Sequence, residues 1–396
     1  MKRNMTPPTP DDVRYVDTLE ALDALCRDLQ PAKVLSLDTE FIREKTYSAR
    51  LCLIQIATDD LIACVDPLKL TDLEPLMAIL YDPQRLKVLH AAGQDLEIFH
   101  DRYGRIPAPV FDTQIAAALL GFSDQAGYGT VVEGLLGVSL EKGHARTDWA
   151  RRPLEAEQIA YAADDVRYLH RLYPLIRERL AAAGRSDWLD EDFRALVDPA
   201  RYRRPDEEAW RRVSGHGRLK PRQLAILQGL AAWREKQARE RDKPRKWILS
   251  DDVLLDLARR APKSHADLER IRGLPPQVLK QHGDTLLAVI AEAASRPKET
   301  WPTPPKSMRP TPEQEGLADL LMACVRILGQ QHDISPATLT TRKEIERLVR
   351  GERDLNLLQG WRRKLAGETL LELLQGRLAL RVEDARVIAV PVEGRA

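Results

Sequence analysis

Runs able to form β-strands are confined to the first part of this chain, and that asymmetry limits its architecture more than any other feature. Val34-Leu35-Ser36-Leu37 reads as a buried strand. Leu51 to Ala57 and Leu61 to Val65 read as two more, separated by the hairpin signal Thr58-Asp59-Asp60, and Lys87 to His90 as a fourth. Amphipathic helical patterns follow at about 73–81, 94–102, 113–120, 129–136 and 155–182, the last expected to kink or break at Pro174. Three successive strands followed by alternating elements predict an α/β unit over residues 1–195, a mixed sheet with helices on its faces.

Beyond about residue 195 strand signals nearly vanish. Residues 198–205 read as a linker and 207–295 as a helical unit. Pro297, Pro302, Pro304, Pro305, Pro310 and Pro312 then mark a stiff connector, followed by a second helical unit of similar size at 313–385, perceived as a diverged copy. Three units suit a 396-residue chain, since domains usually run to roughly 100–200 residues. No apolar run approaches the ~20 residues of a membrane span, and the polar start lacks the apolar stretch of a secretory signal. Cys26, Cys52, Cys64 and Cys324 are too scattered for a zinc site or disulfide framework. These features predict a cytoplasmic protein.

Charge divides the chain in the same way. The net charge is +1, but residues 1–200 hold 23 basic and 33 acidic residues, whereas 201–300 hold 23 and 14. An acidic unit joined to a basic one suits cation binding in the first and polyanion binding in the second. Within 201–250, Trp210, Trp233 and Trp247 accompany the basic residues. Trp233 lies in an apolar helical pattern and reads as a core anchor. Trp247 follows Arg245 and Lys246, a grouping able to meet phosphate and stack on a base.

Three clusters carry the chemistry. In Leu37-Asp38-Thr39-Glu40-Phe41 the two acids are two residues apart on a strand, so both carboxylates face one side. Such a pair suits a hard divalent cation, although Asp-x-Glu at a strand end is more often a solvated turn. In His90-Ala91-Ala92-Gly93-Gln94-Asp95 a strand ends, a tight turn follows, and Asp95 enters the first turn of a helix, where the dipole also favours it. In Tyr161-Ala162-Ala163-Asp164-Asp165, Tyr161 and Asp165 share a helix face and Asp164 points elsewhere as a solvated neighbour.

Taken in order, these clusters resemble the DEDD exonuclease superfamily, tyrosine subtype, and within it the ribonuclease D family. Asp112-Thr113-Gln114, Arg146-Thr147-Asp148-Trp149 and Arg152-Pro153-Leu154 strengthen the likeness. Lys220-Pro221-Arg222-Gln223-Leu224 and Pro244-Arg245-Lys246-Trp247-Ile248-Leu249 resemble an HRDC domain. The resemblance implies an α/β ribonuclease H-like exonuclease domain followed by two all-α HRDC-like domains. It further implies that Asp38, Glu40, Asp95 and Asp165 bind two divalent ions, Mg²⁺ or Mn²⁺, and that Tyr161 positions the attacking water. The implied reaction is 3′–5′ hydrolysis of RNA to nucleoside 5′-monophosphates, on structured RNA such as transfer RNA precursors. The sequence does not fix the oligomeric state, and a monomer is the default. Arg245, Lys246 and Trp247 are candidate RNA contacts. Phe41 either packs on the terminal nucleotide or belongs to the core. A DNA exonuclease with the same site, and a non-catalytic nucleic-acid-binding protein, are the alternative readings.

Overall fold

The computed structural model describes residues 13–140, 143, 147–203, 205–303, 310–384 and 386–392. Arg146, Pro304, Pro305 and the chain's polar start, singled out above, lie outside the described residues. Six strands, β1 (Val13–Val16), β2 (Val34–Ile42), β3 (Arg50–Ala57), β4 (Ile62–Val65), β5 (Leu86–Leu89) and β6 (Val110–Asp112), form one sheet in the order β1-β4-β3-β2-β5-β6. The meander β2-β3-β4 is antiparallel, while β1 on β4, β5 on β2 and β6 on β5 are parallel, so the sheet is mixed. The short edge strands β1 and β6 are additions to the expected set; three or four residues are too few to show a period.

Helices α1 (Leu19–Leu29), α2 (Glu74–Leu80), α3 (Gly93–Tyr103), α4 (Thr113–Ala118), α5 (Tyr128–Leu136), α6 (Ala156–Ala182) and α7 (Asp190–Leu196) flank the sheet. Leu22, Leu25 and Leu29 of α1 and Leu96 and Phe99 of α3 share a cluster with Leu35 and Leu37 of β2. On α6, Ala162, Ala163 and Val166 close over Cys52, Leu53 and Cys64. The helix α6 is not broken at Pro174 but runs through it as one helix. Pro174 forfeits one backbone hydrogen bond, but Leu169, Leu172, Tyr173, Ile176 and Leu180 are all buried around it, and that packing holds the helix together.

The second unit comprises α8 (Pro221–Glu240), α9 (Arg245–Ile248), α10 (Asp251–Arg260), α11 (His265–Glu269) and α12 (Pro276–Ser295) around Trp210, Leu227, Leu254 and Leu286. The third opens with α13 (Pro312–Gln331), α14 (Pro336–Leu339) and α15 (Arg342–Val349). Both begin with a twenty-residue helix having proline at its first position and a capping glutamine at its third, Gln223 and Gln314. In each, a four-residue helix follows, then one capped by a hydroxyl, Ser250 or Thr341.

The third unit departs from the all-helical expectation. Strands β7 (Leu378–Glu383) and β8 (Arg386–Pro391) pair antiparallel as a hairpin that runs past residue 385. Leu378, Leu380 and Val382 alternate with Ala379, Arg381 and Glu383, but most of the hairpin's residues are exposed. The unit also lacks a core of its own: Leu321, Val325, Ile345 and Leu370 belong to one cluster with Val131, Leu172 and Ile176 of the first unit. Trp188 and Trp361 stack across this boundary at 4.7 Å and 8°. Arg362 donates to Asp192 beside them at 3.1 Å.

Candidate active site

The site is assembled where β2 passes beneath α6. Alternation along β2 sends Leu35 and Leu37 into the core and turns Ser36, Asp38 and Glu40 to the other face. The strand reaches Ile42, beyond the apolar run, because its pairing with β3 continues to Ile42↔Arg50, with a bulge between Glu40 and Phe41. Phe41 packs against the core cluster. Ser36 Oγ meets His170 Nδ1 at 3.0 Å, and His170 Nε2 meets Asp59 at 3.1 Å, tying α6 to the strand.

On α6, Tyr161, Asp165 and Leu169 follow one another at four-residue spacing and line a cavity of about 230 Å³ with Asp38 and Glu40. Asp38, Glu40 and Asp165 each offer one carboxylate oxygen, all within 4.8 Å of one another. Asp95, from the first turn of α3, stands beside this trio rather than within it. It is buried, and its Oδ1 accepts a hydrogen bond from Thr39 Oγ1 at 2.5 Å.

The turn that delivers Asp95 is held by Asp112. Its carboxylate accepts from the amides of Ala91 and Ala92 at 3.1 and 2.9 Å, and caps α4 through Gln114 at 2.8 Å. Ala91 sits in the left-handed region at φ 56°, a conformation that those bonds sustain. His90 is locked between Thr113 and the Ala126 carbonyl, each at 3.0 Å, and burial lowers its pKa, keeping it neutral. Asp112 and His90 thus have structural work to do around the site.

Burial is the largest force on the acids, and mutual repulsion adds to it. Asp38 is raised well above the carboxylate range by burial, then by Asp95, Asp165 and Glu40. Glu40 is pushed up to about 8 by burial, Asp165 and Asp95, and Asp165 to about 7 by burial and Asp164. Asp95 rises only to about 6, since burial is opposed by the Thr39 hydrogen bond. Clustered hard oxygens whose charges oppose one another are a donor set suited to divalent cations. The Tyr161 phenol is also raised, by burial and then by Asp165, Glu40 and Asp38, and so holds its proton.

Two hydroxyl-bearing lining residues, Thr39 and Tyr128, have no counterpart among the sequence-derived candidates. Thr39 lies between the paired acids, where nothing in the alternation marks its hydroxyl as a partner for Asp95. Tyr128 opens α5, donates to the Asp164 carbonyl at 2.9 Å and stacks edge-on against His90. Its position one residue ahead of the expected helix gave no cue. Asp164 itself is less free than expected, being paired with Arg167 one turn on.

The motif after α5 braces α6. Trp149 is buried, with its ring 6.3 Å from that of Tyr161. Arg152 donates to both oxygens of buried Asp66, at 2.5 and 2.8 Å, and to the Cys52 carbonyl at 2.7 Å.

Comparison with known proteins agrees with this geometry. A 3′–5′ exonuclease family model matches residues 13–181, and an HRDC domain model matches residues 223–290. Ribonuclease D of Gluconacetobacter diazotrophicus is 40% identical over 96% of this chain and 98% of its own length. The chain belongs to the ribonuclease D family. Ribonuclease D of Acidiphilium cryptum is similar at 39% identity, over 97% of this chain and 98% of that one. Among solved structures, Escherichia coli RNase D, described as an exoribonuclease involved in structured RNA processing, superposes with a TM-score of 0.80 at 35% identity, covering 92% of this chain and 99% of that one.

Of the three candidate RNA contacts in the ribonuclease D-like helical unit, two face solvent. Trp247 is 61% exposed and Lys246 lies beside it. Arg245 instead turns to Glu235, donating from Nε at 2.7 Å and from Nη2 at 2.7 Å. A buried carboxylate has claimed it. Trp233 and Trp210 are core residues.

Proposed function

We propose that Asp38, Glu40, Asp95 and Asp165 hold two divalent ions, Mg²⁺ or Mn²⁺, and that Tyr161 orients the attacking water. The observation that carries this reading is the convergence of three carboxylate oxygens within 4.8 Å, with Asp95 alongside. As a member of its family the chain is a 3′–5′ exoribonuclease. When bound, the ions supply activation of water and stabilisation of the leaving 3′ oxygen. The chain's own residues do the rest. Glu40 and Asp165 line the cavity and, being acidic, serve to hold the cations rather than the anionic phosphodiester itself. Tyr161 keeps its proton, so its hydroxyl aligns the water rather than removing a proton from it. Attack at the terminal phosphorus releases a nucleoside 5′-monophosphate.

The substrate we propose is structured RNA with a free 3′ end, such as a transfer RNA precursor. Exposed Trp247 offers a stacking surface and Lys246 a phosphate contact. Residues 313–385 act as a second HRDC-like domain, supported by the repeated pattern of a twenty-residue helix, a four-residue helix and a hydroxyl-capped helix. We take the working form to be a monomer in the cytosol, where the buried, unpaired cysteines remain reduced. No helix among the described residues is long and apolar enough to cross a membrane.

The test is a time course with 5′-labelled RNA bearing a single-stranded 3′ extension, with Mg²⁺ or with chelator. Shortening in single-nucleotide steps that requires the metal is expected. An intact strand in the presence of both Mg²⁺ and Mn²⁺ would overturn the reading.

A further inference from the structure

The connection between β2 and β3, residues 43–49, reaches out of the exonuclease sheet and docks on the second unit. The amides of Tyr47 and Ser48 both donate to Asp242 Oδ1, at 3.0 and 3.1 Å. The Tyr47 hydroxyl donates to Glu235 Oε1 at 2.6 Å. Glu235 is 2% exposed and also accepts from Arg245 and, at 3.2 Å, from Arg212. The Arg245 guanidinium lies 4.6 Å from the centroid of the Tyr47 ring, and that ring packs against the second unit's core. A solvent-facing hairpin tip requires none of these contacts. A buried carboxylate held by two guanidiniums and a phenol is a rigid junction, because every partner removed leaves charge stranded.

Each end of this junction leads to a different part of the proposed RNA path. Seven residues back along the chain from Tyr47 lies Glu40, on the strand that presents the carboxylates. Two residues beyond Arg245, within the same four-residue helix α9, stands exposed Trp247. We infer that Tyr47, Glu235 and Arg245 form a joint that fixes the Lys246–Trp247 surface relative to the carboxylate strand, so that a long RNA is gripped at two points by one rigid body. This rests on the reading of Lys246 and Trp247 as RNA contacts. Tyr47 is then a positioning residue. Two contacts held at constant separation raise the local concentration of the 3′ end at the second once the first has engaged. A trinucleotide, too short to span both, gains nothing from the joint.

The experiment compares steady-state kinetics of the full chain on a long single-stranded RNA and on a trinucleotide, with Mg²⁺. Tyr47→Ala is expected to raise KM for the long RNA by about tenfold, while kcat on the trinucleotide stays within about twofold. Trp247→Ala should also raise KM for the long RNA, and the double variant should lose no more than the larger single loss, because a misplaced surface has nothing left to contribute. Tyr47→Phe fills the same space and removes only the hydroxyl; a smaller rise of the same kind is expected. If Trp247→Ala weakens the long substrate while neither Tyr47 variant does, or if the two losses simply multiply, the joint is refuted and the RNA contact stands. If Trp247→Ala has no effect, the RNA-contact reading fails and the joint falls with it. Equal losses on both substrates would reduce Tyr47 to a general structural residue and overturn the proposal.

Discussion

Thr39 donates its hydroxyl to Asp95 at 2.5 Å, so the residue between the two strand carboxylates also secures the acid that arrives from α3. The bond lowers the pKa of Asp95 against the upward pull of burial. Thr39→Val keeps the shape and deletes the donor. It is expected to weaken Mn²⁺ or Mg²⁺ affinity by about tenfold, as loss of partners behind metal ligands generally does, and titration calorimetry on the variant would measure it.

Asp38→Asn and Asp165→Asn should each abolish metal-dependent release of mononucleotides while circular dichroism remains native. Both should also raise the melting temperature of the metal-free protein at neutral pH, because burial raises each acid above its unfolded value and so imposes a proton uptake on folding that asparagine avoids. A full-activity Asp165→Asn variant would count decisively against its assignment.

Tyr161→Phe retains the ring beside Trp149 and removes the hydroxyl. A kcat loss of about a hundredfold with little change in KM is expected from single-turnover and steady-state assays, the pattern of a group that acts on the reacting water rather than on binding.

The carboxylates give the metal-free protein a pH dependence of definite sign. With folded values of about 6 for Asp95, 7 for Asp165 and 8 for Glu40, the folded state binds more protons than the unfolded chain between about pH 4 and 8. Stability must therefore fall as pH rises through that window. Divalent metal takes the place of those protons, so its affinity rises over the same range and should flatten the decline. Thermal melts at stepped pH, with chelator and with Mg²⁺, would read both effects; a metal-free protein that gains stability from pH 5 to 8 would contradict them.

Arg152→Ala should cost about 3–5 kcal/mol, since it leaves fully buried Asp66 without its main ion-pair partner. Chemical denaturation would measure the loss, and the loop carrying Trp149 against Tyr161 should loosen with it.

Much of the site was legible in the sequence because its residues obey local periods. Asp38 and Glu40 follow the two-residue repeat of a strand, and Tyr161 and Asp165 the four-residue repeat of a helix. Asp95 was marked by a strand, a turn and a helix start. What could not be read depends on distant partners. Thr39 and Tyr128 acquire roles from residues remote in the chain, and Arg245 looked like a phosphate ligand because Glu235, ten residues earlier on α8, gives no sign of burial. The hairpin β7–β8 was missed although Leu378, Leu380 and Val382 alternate with Ala379, Arg381 and Glu383. The run is short, follows a long helical stretch, and most of its residues are exposed, so no buried face reinforces the period.

The stacked pair Trp188 and Trp361 sits on a seam where the third unit shares its interior with one flank of the first. Cutting the chain ahead of α13 would strip the covering from Val131, Leu172 and Ile176, leaving an oily flank on the catalytic half. Such a fragment would be prone to self-association, so a shortened enzyme meant to remain dispersed would need polar replacements along that flank.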